Sequence, residues 1–81
     1  MIPISTTEQA LEIGRYATLE DVRALAQSRR DCLERYESAR KAAQETAGEE
    51  RKRFFQIASD LATKAQLFRE AIESYLGQIR N

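Results

Sequence analysis

The stretch QETAGEERKR, Gln44 to Arg53, decides the fold of this chain. It separates two long segments with the periodicity of amphipathic helix, so the chain either turns back near Gly48 or runs through as one rod. Carried forward in sevens from Ala43, the upstream seam predicts apolar positions at 50, 57 and 64; the downstream seam runs through 51, 58 and 65. One extra residue in a continuous helix would rotate the apolar stripe by roughly 100°. Gly48 lies inside this phase break, where a helix interior would disfavour it by about 1 kcal/mol relative to Ala. Glu49 and Glu50 follow, acids suited to a first helical turn, and Thr46 stands at capping-box distance from Glu49. These signals favour a turn, with Thr46 capping the new helix. The alternative is a rod of about 90 Å, at 1.5 Å per residue, needing a partner along its whole length.

Upstream of the turn, Val22, Leu25, Arg29, Cys32, Tyr36, Ala39 and Ala43 fall at alternating three- and four-residue steps, with Leu19, Ala26 and Leu33 widening the stripe. Arg29 interrupts it, its stem suited to packing while the guanidinium reaches water. Thr18, with Asp21 three residues on and Glu20 between, marks the start. Downstream, Phe54, Ala58, Leu61, Ala65, Phe68, Ile72, Tyr75 and Ile79 step 4-3-4-3-4-3-4, flanked by Phe55, Ile57, Ala62, Ala71 and Leu76. A stripe this wide expects more than one neighbouring helix. Ahead of both segments, Ser5 or Thr6 can cap a short helix, Glu8 standing at capping-box distance from Ser5, and Gly14 reads as its stop. Pro3 disfavours helix at Ile2, so residues 1–4 are expected to be extended. The fold expected is all-α: a single domain over 1–81, with a long antiparallel helical hairpin (about 18–46 and 49–80). A short N-terminal helix (about 6–13) lies across its apolar groove, making a three-helix or dimeric bundle.

The composition excludes several classes. Thirteen basic and thirteen acidic side chains cancel, so no net field steers the chain toward nucleic acid or anionic lipid. No apolar run is long enough to span a membrane, and no secretory signal pattern is present, which points to a cytoplasmic protein. Cys32 is the only cysteine, which excludes an internal disulfide and reads as a small core residue. Histidine is absent, and with it the commonest general base and zinc ligand. Gly14, Gly48 and Gly77 are isolated and form no phosphate loop; Glu49/Glu50 and Glu70/Glu73 do not make a metal site. The expectation is therefore no enzyme, no cofactor, no metal and no small-molecule substrate.

Two surfaces remain as candidates for binding. Arg40, Lys41, Arg51, Lys52 and Arg53 gather at the turn end of a hairpin and could form a charged patch. Glu37–Lys41 and Glu49–Arg53, at helical i, i+4 spacing, are expected to neutralise part of it. The second surface is apolar. Phe55, Leu67, Phe68, Tyr75, Leu76 and Ile79 crowd the last helix. At the end away from the turn, Leu11, Ile13, Tyr16, Leu19, Val22 and Leu25 converge on it, more apolar side chains than two helices can cover.

GRYATLEDVRALAQSRRDCLERY, Gly14 to Tyr36, resembles the start of the long helix in the small flagellar export chaperones, with Gly14, Tyr16, Leu19, Val22 and Leu25 fitting that outline. The hairpin ending in FREAIESYLGQIRN is also similar to the helical-hairpin co-chaperones of type III secretion needles. The resemblance implies a chaperone that lays helix against helix on an export substrate; it assigns no residue by itself, and Leu67, Phe68, Leu76 and Ile79 of the apolar last helix are where partner contacts are expected. The leading expectation is thus a cytoplasmic, non-enzymatic chaperone or adaptor acting on a protein partner or on itself, as a dimer or heterocomplex. The alternatives are a small phage- or plasmid-type inhibitor that binds a larger machine through charged helix faces, and a nucleic-acid-binding hairpin.

Overall fold

A computed structural model describes residues 4–80 and contains three helices: α1 (Thr7–Tyr16), α2 (Leu19–Glu45) and α3 (Gly48–Arg80). The hairpin of α2 and α3 is as expected, and α1 packs against α3. Of the segment expected to be extended, residues 1–3 lie outside the described residues; Ile4 is non-helical and packs on the core.

Each helix begins or ends for a local reason. Thr6 caps α1: its hydroxyl accepts from the Gln9 amide at 3.2 Å, and the Gln9 side chain accepts from the Thr6 amide at 3.3 Å and from the Ser5 amide at 2.8 Å. The capping box is therefore Thr6–Gln9, not Ser5–Glu8. Thr18 and Asp21 form the expected box at α2, with reciprocal bonds of 3.0 and 3.2 Å. The chain reverses through Thr46 and Ala47 into Gly48, whose φ of +65° is the left-handed conformation that favours glycine. Thr46 departs from expectation. Its hydroxyl turns back to donate to the carbonyls of Ala42 (3.0 Å) and Ala43 (3.4 Å), so it closes α2 rather than opening α3. Those carbonyls lack helical donors at a C-terminus, and a hydroxyl two residues short of Gly48 is well placed to supply one.

The helix expected to stop at Gly14 continues to Tyr16, and the glycine serves another purpose. Gly14 is buried against α3: a Cβ there would lie 2.6 Å from Ser74 Cβ and closer still to the Ala71 carbonyl oxygen. Ala10, one turn earlier, and Ala71 opposite are wholly buried. This small-residue face brings the two backbones together, and the Ser74 hydroxyl donates to the Leu11 carbonyl at 2.8 Å.

The core follows from this arrangement. Ala10, Leu25, Leu67, Phe68 and Ala71 form the buried cluster, with Ile4, Ile13, Cys32 and Ile72 packed on it. Toward the turn the buried positions are Ala39, Ala43, Ala58 and Ala65, all alanines, while Phe54 opposite is half-buried. No side chain larger than alanine is completely buried among the described residues. The molecule measures 49 × 20 × 20 Å with a radius of gyration of 14.7 Å, against about 12 Å for a compact chain of this length.

Candidate functional site

The charged patch is partly used within the chain. Arg51 Nε donates to the carbonyls of Thr46 (2.9 Å) and Ala43 (3.1 Å), fastening the end of α2 across the turn. Lys52 pairs with Glu49 at 3.6 Å on the solvent side, an exposed contact worth a few tenths of a kcal/mol. The expected pairs Glu37–Lys41 and Glu49–Arg53 do not form among the described residues; the pairs present are Lys52–Glu49 and Arg69–Glu73. Arg40 and Lys41 line a shallow groove on the outer face of α2 together with Glu37, an acid that offsets their charge. The five basic residues thus do not act as one unit: Arg51 braces the turn, Lys52 is paired, Arg40 and Lys41 share a groove with an acid, and Arg53 is exposed.

The apolar candidates divide sharply. Leu67 and Phe68 are buried in the chain's own core, in one cluster with Ala10, Leu25 and Ala71. Tyr75 is half-buried. Leu76 and Ile79 are 40% and 60% exposed, and Phe55 is exposed on the half of α3 nearer the turn. Leu67, Phe68 and Ala71 therefore supply internal packing, and the exposed apolar side chains of α3 are Leu76 and Ile79 at one end and Phe55 and Ile57 toward the turn.

Helix length explains why Leu76 and Ile79 are uncovered. α3 has 33 residues against 27 in α2. Two helices running antiparallel from one short turn stay level residue for residue, so the last six residues of α3 project past Leu19 by about 9 Å. The heptad seam does not stop where its partner helix does. Ile79 continues it into the projection, with Leu76 on its flank. Alongside lies the α1–α2 corner, where Tyr16 and Leu19 are 74% and 55% exposed. Sequence reasoning found these residues but placed them facing one another; the overhang separates part of the set from its expected cover.

Other chemistry is sparse. No three Cys, Asp or Glu side chains come together in a metal-binding arrangement among the described residues, and none of their helices is long and apolar enough to cross a membrane. Cys32 is half-buried against the core cluster. Arg29 is half-buried, its Nε and the Glu70 Oε2 each shielded from solvent without a hydrogen-bond partner.

No family model, curated protein or solved structure matches this chain.

Proposed function

We propose that the chain is a non-enzymatic helical adaptor or chaperone that holds another helix against the open end of its hairpin, in a reducing cytoplasm. The observation that carries this reading is the projecting seam of α3, with Leu76 and Ile79 uncovered beside Tyr16 and Leu19. Apolar side chains at helical spacing on a rigid support are what an amphipathic helix needs for docking. The lack of histidine and the resemblance of Gly14–Tyr36 to export chaperones point the same way. Leu76 and Ile79 supply the docking surface, Tyr75 its inner edge, and the core built on Leu67 and Phe68 holds α3 in place.

Site-specific photo-cross-linking tests the proposal. A photoreactive residue at position 79 should give a discrete adduct with a polypeptide in cells expressing the chain, whereas one at Asp60, an exposed position on α3 nearer the turn, should not. In a lysate brought to high salt before irradiation the adduct should still form, since apolar docking is little screened. Absence of any adduct at 79, or equal labelling from both positions, would sink the reading.

A further inference from the structure

We infer that a second copy of this chain occupies the open end, docked about a two-fold axis so that each projecting α3 seam covers the apolar corner of the other. The inference rests on the adaptor reading of the same surface and names its partner. Three observations support it. The first is area: the chain exposes 6077 Å², where a compact monomer of its mass exposes roughly 5,000 Å². The excess, on the order of 1,000 Å², is spread over an elongated molecule of 49 × 20 × 20 Å, and its size is that of the roughly 800 Å² each partner contributes to a stable interface. The largest buried side chains, Leu25, Leu67 and Phe68, still keep 6–8% of their surface exposed in the single chain.

The second observation is shape. A two-fold contact requires one surface to hold both complementary halves. This end has a projecting ridge, Leu76 and Ile79, next to an exposed shelf, Tyr16 and Leu19. Ridge on shelf can therefore occur twice in one symmetric contact. The third is charge. Arg15 and Arg80 lie in the last turns of α1 and α3, and Glu20 and Asp21 in the first turn of α2. Bases and acids balance around the patch, and a two-fold axis lets the acids of one copy face the bases of the other without like-charge repulsion.

Sedimentation equilibrium of the purified chain should give twice the 9.3 kDa chain mass. The double variant Leu76→Glu/Ile79→Glu should weaken the dimer at least 100-fold, roughly tenfold or more per apolar side chain lost from the interface. Both residues lie where α2 offers no cover, so helical circular dichroism should be retained. Phe55→Glu, exposed toward the turn, should leave the dimer intact. As a second measurement, Leu19→Cys and Ile79→Cys chains, each in a Cys32→Ser background, should form a mixed disulfide-linked dimer when combined and mildly oxidised, and Ser59→Cys combined with Ile79→Cys should not. A chain that stays at 9.3 kDa at every concentration overturns the proposal, as does a dimer broken by Phe55→Glu and indifferent to the double variant. If a monomeric chain still cross-links a different protein from position 79, self-pairing alone falls and the adaptor reading stands.

Discussion

The Ser74 hydroxyl donates to the Leu11 carbonyl at 2.8 Å across 63 residues of sequence, and the same serine's Cβ forms one wall of the space left by Gly14. The two contacts hold α1 on α3 at backbone distance. A hydrogen bond of this kind contributes about 1 kcal/mol, so the close fit at Gly14 is the more demanding part of the joint.

Gly14→Ala should therefore destabilise the fold even though alanine is the better helix former. The helical gain is about 1 kcal/mol. The added methyl would meet the Ala71 carbonyl oxygen, a backbone atom that cannot swing aside, and forced overpacking costs typically 1–3 kcal/mol or more. With a backbone atom in the way the cost falls at the upper end of that range, and the expected net loss is about 2 kcal/mol, read by urea denaturation.

The same substitution at the other glycines should have different outcomes. Gly48 has open space for a Cβ but a φ of +65°, so Gly48→Ala should cost about 1 kcal/mol through backbone strain. Gly48→Asn should cost less, asparagine being tolerant of that conformation. Gly77 is helical, with nothing within 4 Å of an added Cβ, and Gly77→Ala should stabilise by about 0.5–1 kcal/mol. Thermal melts of the variants, compared at equal concentration, check both signs.

Arg51→Ala should fray the turn end. It removes both bonds to the Ala43 and Thr46 carbonyls, for a loss of about 1 kcal/mol at this exposed site. Lys52→Ala and Arg53→Ala should stay within about 0.5 kcal/mol. Hydrogen exchange should quicken near Thr46 in the Arg51 variant only; equal effects from all three would refute the bracing role.

Two phenylalanines of α3 provide the contrast between core and surface. Phe68 is in the buried cluster, and Phe68→Ala should cost about 3 kcal/mol, within the range for large-to-small changes in a core. Phe55 is half in solvent, and Phe55→Ala should cost under about 1 kcal/mol. Chemical denaturation midpoints at unchanged slope give the comparison.

The hairpin and its turn could be read from the sequence because the signal is local: a one-residue slip of the seam with a glycine inside it. The Thr18–Asp21 box was equally readable, its partners lying three residues apart. What escaped depended on distant residues. Gly14 has the position of a helix stop, and only Ala71 and Ser74, far downstream, reveal it as a point of close approach. Leu67 sits off the 4-3 seam, yet it is buried in one cluster with Ala10 of α1 and Leu25 of α2, residues far from it in sequence. Thr46 had two plausible directions for one hydroxyl, and spacing alone could not choose between them. Leu76 and Ile79 were found by pattern, but their exposure followed from the unequal lengths of two helices.

The alanine-lined half of the hairpin has a thermodynamic consequence. With Ala39, Ala43, Ala58 and Ala65 as the buried residues toward the turn, that half gains little from excluding water. Most of the apolar free energy resides in the cluster around Leu25, Leu67 and Phe68, nearer the end proposed for docking. A ligand that binds only the folded state stabilises it by mass action. Occupancy and folding are then linked equilibria in this chain, and its melting temperature should act as a gauge of how fully that end is occupied.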